Sequence, residues 1–352
     1  MAETMKTLIV EKDGSLRRAE VPLPAYSDQQ ALVRTVACGI CNGTDAKLIH
    51  RKFKGFEPEQ YPVMLGHEGV GEVIAVGRDV VSYNIGDKVL LPFVGDDPVR
   101  YPGLTSAWGA FSEYGVVDDL KAYPEGEAPE CAYAQTVLPS WVDPVDGVMI
   151  VTLREVLSAI HRFGISRGDR VAVFGCGPVG LTFIHFMKLL GVGCVIAFDV
   201  RKEKLASALT QGADAAFDST NCSPQDEVRK LCPGGVDYVL DAVGFLPIIN
   251  QAMTMVRDNG KICCYGISPD MAMQLEWKDA PYNWQLHFQQ FPSKKEEGAV
   301  TDQILSWMQS GDVVLKDYIS DYFPAEKMEA AFQKLEQREI SKKGIVAFGK
   351  QK

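Results

Sequence analysis

Two clusters in this 352-residue chain carry side chains whose types and spacing can do chemistry. The first joins the stretch from Cys38 to Asp45, which also holds Cys41 and Thr44, with Gly66, His67 and Glu68. Thiolate, imidazole and carboxylate are donors that zinc accepts together. Three protein ligands and one open position make a Lewis acid that can acidify an alcohol or polarise a carbonyl. The second cluster is the run at 171–180. Four apolar residues read as a buried strand, and Gly175, Gly177 and Gly180 then fall at GxGxxG spacing ahead of a helical pattern at 181–190. The first glycine permits a tight turn, the second lets backbone approach a pyrophosphate, and the third lets helix pack closely on strand. Phosphates then meet free N–H groups at a helix N-terminus.

The context strengthens the glycine spacing. A second apolar run, 194–198, ends in Asp199, about 20 residues past the glycines, where the dinucleotide fingerprint expects an acid. An acid there accepts hydrogen bonds from ribose hydroxyls and repels a 2′-phosphate, which favours NAD over NADP. Arg201 and Lys202 follow and soften that preference.

These residues need elements to position them. Residues 1–90 read as β-rich, with strand-like runs at 7–10, 31–37 and 69–77 and a turn feeding a strand at 84–91. From about 144 the pattern changes. Helical spacing at 152–163 leads into alternating strands and helices, with later strands at 236–241 and 260–266. Such alternation implies a parallel sheet with helices on both faces, so the fold class expected is α/β, a Rossmann sheet plus a β-rich domain. An amphipathic helix is expected at 323–335 and a last strand at 344–348.

The totals bound the function. A hydrophobic fraction of 46% suits globular cores, and the formal charge of −10 argues against nonspecific binding to nucleic acid or to anionic membranes. The first residues show no export signal, and the apolar region at 178–198 is broken by His185, Lys188, Gly191 and Gly193, so it reads as helix, turn and strand. Nine cysteines without such a signal fit reduced thiols in the cytoplasm.

With Gly39-Ile-Cys41, Gly43-Thr-Asp45, the run at 66–77, Gly86-Asp-Lys-Val89 and the fingerprint in view, the chain resembles the zinc-dependent medium-chain dehydrogenases, the family of alcohol, sorbitol and threonine dehydrogenases. Asp199, Asp241 with Gly244, and Gly260 with Gly266 extend the match along most of the chain. The resemblance implies a GroES-like catalytic domain at 1–150, completed by 288–352, and a Rossmann domain at 151–287. It places Pro178, Val179, Val243 and Gly266 beside the three glycines and Asp199 on NAD. It also implies a homodimer or homotetramer.

Three departures from the family stand out. Relatives usually read Gly-Ile-Cys-Gly-Thr-Asp, whereas this chain has Asn42 inserted after Cys41. Held from the left, the register makes Cys41 the thiolate; held from the right, Asn42 takes that place. Cys41 is favoured because a strand end absorbs one extra residue, and Cys38 is the fallback. Val151 stands where sorbitol-type relatives carry a metal-approaching Glu, and Glu155 one helical turn on is the candidate substitute. Residues 90–115 hold no cysteine, so no structural zinc is expected.

The expected site is therefore zinc on Cys41, His67 and Glu68. Asp45 orients His67 from behind. Thr44 aligns with the hydroxyl that passes the alcohol proton onward in relatives, Lys47 replaces their relay histidine, and His50 is the other candidate relay. Phe53, Phe56, Trp108, Tyr114 and Trp284 are candidate pocket aromatics. The reading is zinc-assisted hydride transfer between NAD and a secondary alcohol or ketone, with a polyol, sugar or cyclitol as substrate. The alternatives are a threonine-type amino-alcohol dehydrogenase, a zinc-free quinone or enone reductase, and a non-catalytic dinucleotide-binding protein.

Overall fold

A computed structural model describes residues 3–268, 270 and 272–349; residues 1 and 2, which open the stretch read for an export signal, lie outside it. The chain divides into two compact units, Met1–Arg154 with Ser293–Lys352, and Glu155–Pro292. Among the described residues no helix is long and apolar enough to cross a membrane.

The second unit is a six-stranded parallel sheet. Its spatial order is Ala215–Asp218, Cys194–Asp199, Arg170–Phe174, Val236–Asp241, Val256–Cys264 and Trp284–Phe288. Numbered along this unit the order is 3-2-1-4-5-6, the doubly wound Rossmann arrangement. The direction of winding reverses between Arg170–Phe174 and Val236–Asp241, and ligands of such sheets bind beyond the strand ends there. The inner parallel strands are covered on both faces, so Arg170–Phe174 and Cys194–Asp199 carry continuous apolar runs rather than alternating ones. Val171, Ala172 and Val173 are fully buried, and Phe174 and Phe198 stack at 5.0 Å between ring centroids. The Pro178–Leu189 helix starts with proline in its first turn, where the missing N–H costs nothing.

The first unit is β-rich. One sheet runs Leu16–Pro22, Thr4–Val10, Val63–Met64, Thr105–Ser106. The other runs Ile319–Pro324, Lys343–Ala347, Gln30–Ile40, Gly69–Val76, Lys88–Leu90, with Tyr114–Asp118 also paired to Gln30–Ile40. A core of Leu8, Val10, Cys38, Ile40, Leu65, Phe111, Phe332 and Val346 ties both sheets to the C-terminal segment. The helix expected at 323–335 begins later. Phe323 and Pro324 end a strand, 325–327 form a 3₁₀ turn, and the α-helix is Met328–Glu336. Proline disfavours helical backbone in the residue before it, so Phe323 is extended and the amphipathic pattern starts late.

Candidate metal and cofactor sites

Three sheet neighbours meet at one end of the first unit. Gly344 pairs with Ile40 on one side of the central strand, and Cys38 pairs with Gly69 on the other. Cys41 follows the central strand, His67 and Glu68 precede the second, and Lys343 opens the third. Adjacent registers therefore gather residues that lie far apart in sequence. Ligand atoms of Cys41, His67 and Glu68 all fall within 4.8 Å of one another. Asn42 is exposed in the turn that follows, so the extra residue is absorbed outside the ladder and the thiol of Cys41 stays in the cluster.

Asp45 is fully buried and accepts a hydrogen bond from the Cys41 N–H at 2.9 Å, which ties the turn together. Its other oxygen faces His67 Nδ1 at 3.4 Å, and both atoms are buried without another partner. The imidazole thus turns Nδ1 to Asp45 and Nε2 toward the carboxylate of Glu68, 3.9 Å away. Burial alone would depress His67; hydrogen bonding and charge from Asp45 and Cys41 outweigh it and hold the ring well above the ordinary histidine range. The backbone N–H of Thr44, itself buried, donates to Cys41 Sγ at 3.5 Å.

Glu68 is 1% exposed, and a charge so placed needs a partner. Lys343 supplies it, with Nζ at 2.8 Å from Oε1 and 2.6 Å from Oε2, and the Thr152 hydroxyl adds a bond at 3.4 Å. Burial would raise the carboxyl pKa, but the charges of Lys343 and His67 and these bonds carry it below the ordinary carboxylate range. Gly39 makes the pair possible, since a Cβ there would overlap Glu68 Oε2. Lys343 was not picked out from sequence. The structure supplies the reason for its role: a lysine opening a five-residue strand whose every position is buried demands a counter-charge.

Other expected residues fall as follows. Cys38 is buried, and burial, then Asp45 and Glu68, push its thiol well up, so it stays neutral; it is outside the three-residue group. Glu155 is also outside that group, and Val151 is buried. Lys47 donates to the Gly43 carbonyl at 3.2 Å; burial lowers its pKa while the charge of Cys41 opposes that. His50 caps its short helix and is exposed. Phe53, Phe56 and Trp108 gather beside His67, whereas Tyr114 packs on the Met5–Ile9 side of the unit and Trp284 on the core of the second unit.

The donor chemistry fits zinc. One sulfur, one nitrogen and one oxygen converge, Asp45 can fix the tautomer that presents Nε2, and Glu68 Oε2 keeps a lone pair beyond the one used by Lys343.

The second unit carries the dinucleotide features. Gly175 has φ +95°, and its Cβ position lies 2.7 Å from Val243, so the loops after the two switch-point strands abut. A Cβ on Gly177 would meet nothing within 4 Å, while one on Gly180 would overlap the Gly175 carbonyl oxygen. Gly177 therefore faces open space at the helix N-terminus, and Gly180 is the close-packing position. Pro178 is exposed and Val179 half-buried beside them. Asp199 accepts from the Cys176 N–H at 2.7 Å and the Arg201 N–H at 2.8 Å, which holds the acid against the glycine turn; the Arg201 Nε is 3.9 Å away. Asp241 accepts from the N–H groups of Val243 and Gly244 at 2.8 and 3.0 Å, and burial pushes its carboxyl up to about 6. Gly266 packs against Gly244, where a side chain would clash with backbone.

A doubly wound sheet with a glycine turn, joined to a GroES-like β unit that gathers a thiolate, an imidazole and a carboxylate, is the architecture of a two-domain oxidoreductase. Comparison with known proteins agrees. Residues 178–298 match the zinc-binding dehydrogenases and residues 27–126 match the alcohol dehydrogenase GroES-like domain. A sorbitol dehydrogenase of Gallus gallus is 27% identical over 77% of this chain and 78% of its own length. An NADP-dependent isopropanol dehydrogenase of Entamoeba histolytica is 30% identical over 74% of this chain and 72% of its own. The solved 2R,3R-butanediol dehydrogenase from Bacillus subtilis shares the fold, with a TM-score of 0.79 over 97% of this chain and 99% of that one at 22% identity. The chain belongs to the zinc-binding alcohol dehydrogenase superfamily, the medium-chain dehydrogenases.

Proposed function

We propose that the protein interconverts a secondary alcohol and its ketone with NAD: R–CHOH–R′ + NAD⁺ gives R–CO–R′ + NADH + H⁺. The observation that carries this reading is the convergence of Cys41, His67 and Glu68 in a chain that also holds the Gly175–Gly177–Gly180 turn. Bound there, zinc would supply Lewis acidity toward the alcohol oxygen, and NAD would supply the hydride acceptor. Cys41, His67 through Nε2, and Glu68 are the ligands. Asp45 holds the ring, and Lys343 holds Glu68 charged and in place. Thr44, with Lys47 or His50, takes the alcohol proton outward. Gly177 leaves room for the pyrophosphate, and Asp199 selects the ribose hydroxyls; the NADP dependence of the Entamoeba histolytica relative makes Arg201 the residue to watch.

Relatives named for sorbitol and isopropanol support a secondary alcohol. Polyols, sugars and cyclitols, which the donor set suggested, form one arm of the test. The zinc-loaded protein is assayed by NADH absorbance against polyols, cyclitols, simple secondary alcohols and threonine-like amino alcohols. Turnover of a secondary alcohol that is lost in Cys41→Ala, with NAD binding retained, is the expected result. NAD binding with no alcohol oxidised, or turnover unaffected by Cys41→Ala, would overturn it in favour of a sensor or a zinc-free reductase. The reading also includes a homodimer or homotetramer. It is supported by the Trp284–Phe288 edge strand, which has one sheet partner among the described residues, with Tyr282, Phe288 and Phe291 exposed around it. Light scattering at the mass of a single chain would remove that part.

A further inference from the structure

The chain holds two Asn-Gly steps, Asn42-Gly43 and Asn259-Gly260, and the fold treats them in opposite ways. Asparagine is a thermolabile residue. Its side chain is most open to attack by the next backbone nitrogen when glycine follows, because no Cβ blocks the approach and the chain can swing through conformations that other residues refuse. Such an attack needs both groups free of other bonds.

Asn259 is held. It lies in the Val256–Cys264 strand, between the Val236–Asp241 and Trp284–Phe288 strands. Its N–H donates to the Asn283 carbonyl at 2.7 Å, its Nδ2 donates to Asp258 Oδ2 at 2.8 Å, and Gly260 is buried. Asn42 is not held. It is exposed in the turn between the Gln30–Ile40 strand and the Asp45–Ile49 helix, with Gly43 half-buried beside it. Neither the Asn42 side-chain amide nor the Gly43 N–H makes a hydrogen bond among the described residues. Beyond its chain neighbours, a Cβ on Gly43 would meet only Cys41 Sγ, at 3.7 Å, so the step is uncrowded. The bonds of the turn run across this free step. Asp45 N–H donates to the Cys41 carbonyl at 2.9 Å, Cys41 N–H to Asp45 Oδ2 at 2.9 Å, and Thr44 N–H to Cys41 Sγ at 3.5 Å.

We propose that Asn42 is a site of spontaneous deamidation, and that its isoaspartyl product dismantles the thiolate corner of the cluster formed by Cys41, His67 and Glu68. The Gly43 nitrogen attacks Asn42 Cγ. A bond forms between that nitrogen and Cγ, the Cγ–Nδ2 bond breaks, and the side-chain nitrogen leaves as ammonia with the proton that Gly43 gives up. The succinimide ring then takes up one water. Opening at Cγ gives an aspartate at this position; opening at the backbone carbonyl gives isoaspartate, with the chain rerouted through Cβ and Cγ. Water is the only co-reactant, and nothing is oxidised or reduced. Isoaspartate lengthens the backbone by one carbon and leaves a carboxylate directly after Cys41. The three bonds across the turn fit the shorter path, so the longer one releases the thiol. The change runs one way and gives the site a lifetime. This consequence rests on the reading of Cys41 as a metal ligand; the modification itself does not. Relatives that read Gly-Ile-Cys-Gly-Thr-Asp lack a side-chain amide at this step, so the timer belongs to the inserted residue.

The test ages purified, metal-free protein in mildly alkaline buffer with a phosphine reductant, beside the variant Asn42→Gln, whose longer side chain closes an imide ring far more slowly. Peptide mapping by mass spectrometry reads the mass gain at each asparagine, and electron-transfer fragmentation separates isoaspartate from aspartate. Zinc affinity is read by competition with a chromogenic chelator. Asn42 should deamidate at least about tenfold faster than Asn259, with isoaspartate as the main product. The converted wild type should bind zinc at least about tenfold more weakly than fresh protein, while aged Asn42→Gln keeps its affinity. Asn42 reacting no faster than Asn259 would overturn the modification. Full zinc affinity in the converted protein, or an equal loss in aged Asn42→Gln, would overturn its effect on the cluster. If fresh protein binds no zinc, the ligand reading of Cys41 fails, and the mass map still decides the modification.

Discussion

Replacing Lys343 with methionine tests what holds Glu68. The two side chains are 9% and 1% exposed, and one ammonium bridges both carboxylate oxygens at 2.8 and 2.6 Å. Methionine keeps the length and apolar stem of lysine and deletes the charge. A buried carboxylate then loses its main counter-ion, and breaking such a pair from one side costs about 3–5 kcal/mol. His67, 3.9 Å from Glu68, offsets part of this, so the lower end is expected. For a unit of this size a loss of 1 kcal/mol lowers the melting temperature by about 2–4 °C, which gives a fall of about 6–12 °C. The assay is thermal and urea unfolding of metal-free protein for the wild type, Lys343→Met, Glu68→Gln and the double variant. Neutralising both partners removes the stranded charge, so the double variant should recover most of the loss, with a coupling of about 2–3 kcal/mol. Zinc affinity should fall about 10–100-fold in Lys343→Met, as for other residues that hold a ligand in place. A single variant within about 0.5 kcal/mol of wild type, with additive double-variant behaviour, would refute the reasoning.

Other expectations follow from the second unit. Gly177→Ala meets nothing within 4 Å, so it should fold within about 0.5 kcal/mol of wild type yet bind NAD at least about tenfold more weakly by calorimetry; unchanged affinity would remove the pyrophosphate from that space. Gly180→Ala drives a methyl group into the Gly175 carbonyl and should destabilise by about 1–3 kcal/mol in urea unfolding. Burial pushes Asp241 up to about 6 from 3.8, so the native state binds its proton more tightly than the unfolded chain. The contribution of Asp241 to stability is therefore greatest below pH 4, is lost as pH rises through 6, and is smaller by about 3 kcal/mol at pH 7. Asp241→Asn keeps the acceptor for Val243 and Gly244 and should flatten that slope; an unaltered slope in urea midpoints between pH 4 and 6 would contradict it.

Much of the fold was legible because its signals are local. The glycine turn, the apolar strands on either side of it and the acid at 199 lie within 30 residues, and each is a short-range necessity of backbone and packing. The cluster of Cys41, His67 and Glu68 was legible as chemistry, since few purposes bring these donor types together. What escaped was set by long-range pairing. Lys343 is 275 residues from Glu68 and reads locally as half of a lysine doublet ahead of a strand. Only the register of the last strand against the Cys41 strand reveals it. The role of Gly39 was hidden for the same reason, because its missing Cβ matters only when Glu68 crosses over it. The helix expected from 323 started late because its apolar period ran smoothly across Pro324, where backbone geometry and not amphipathicity decides.

Zinc-edge X-ray absorption on protein reconstituted with one equivalent of zinc tests the central claim most directly. The account predicts one sulfur at about 2.3 Å with nitrogen and oxygen neighbours at about 2.0–2.2 Å, and loss of the sulfur shell in Cys41→Ala. A spectrum without sulfur in the wild type, or one unchanged in that variant, would contradict it.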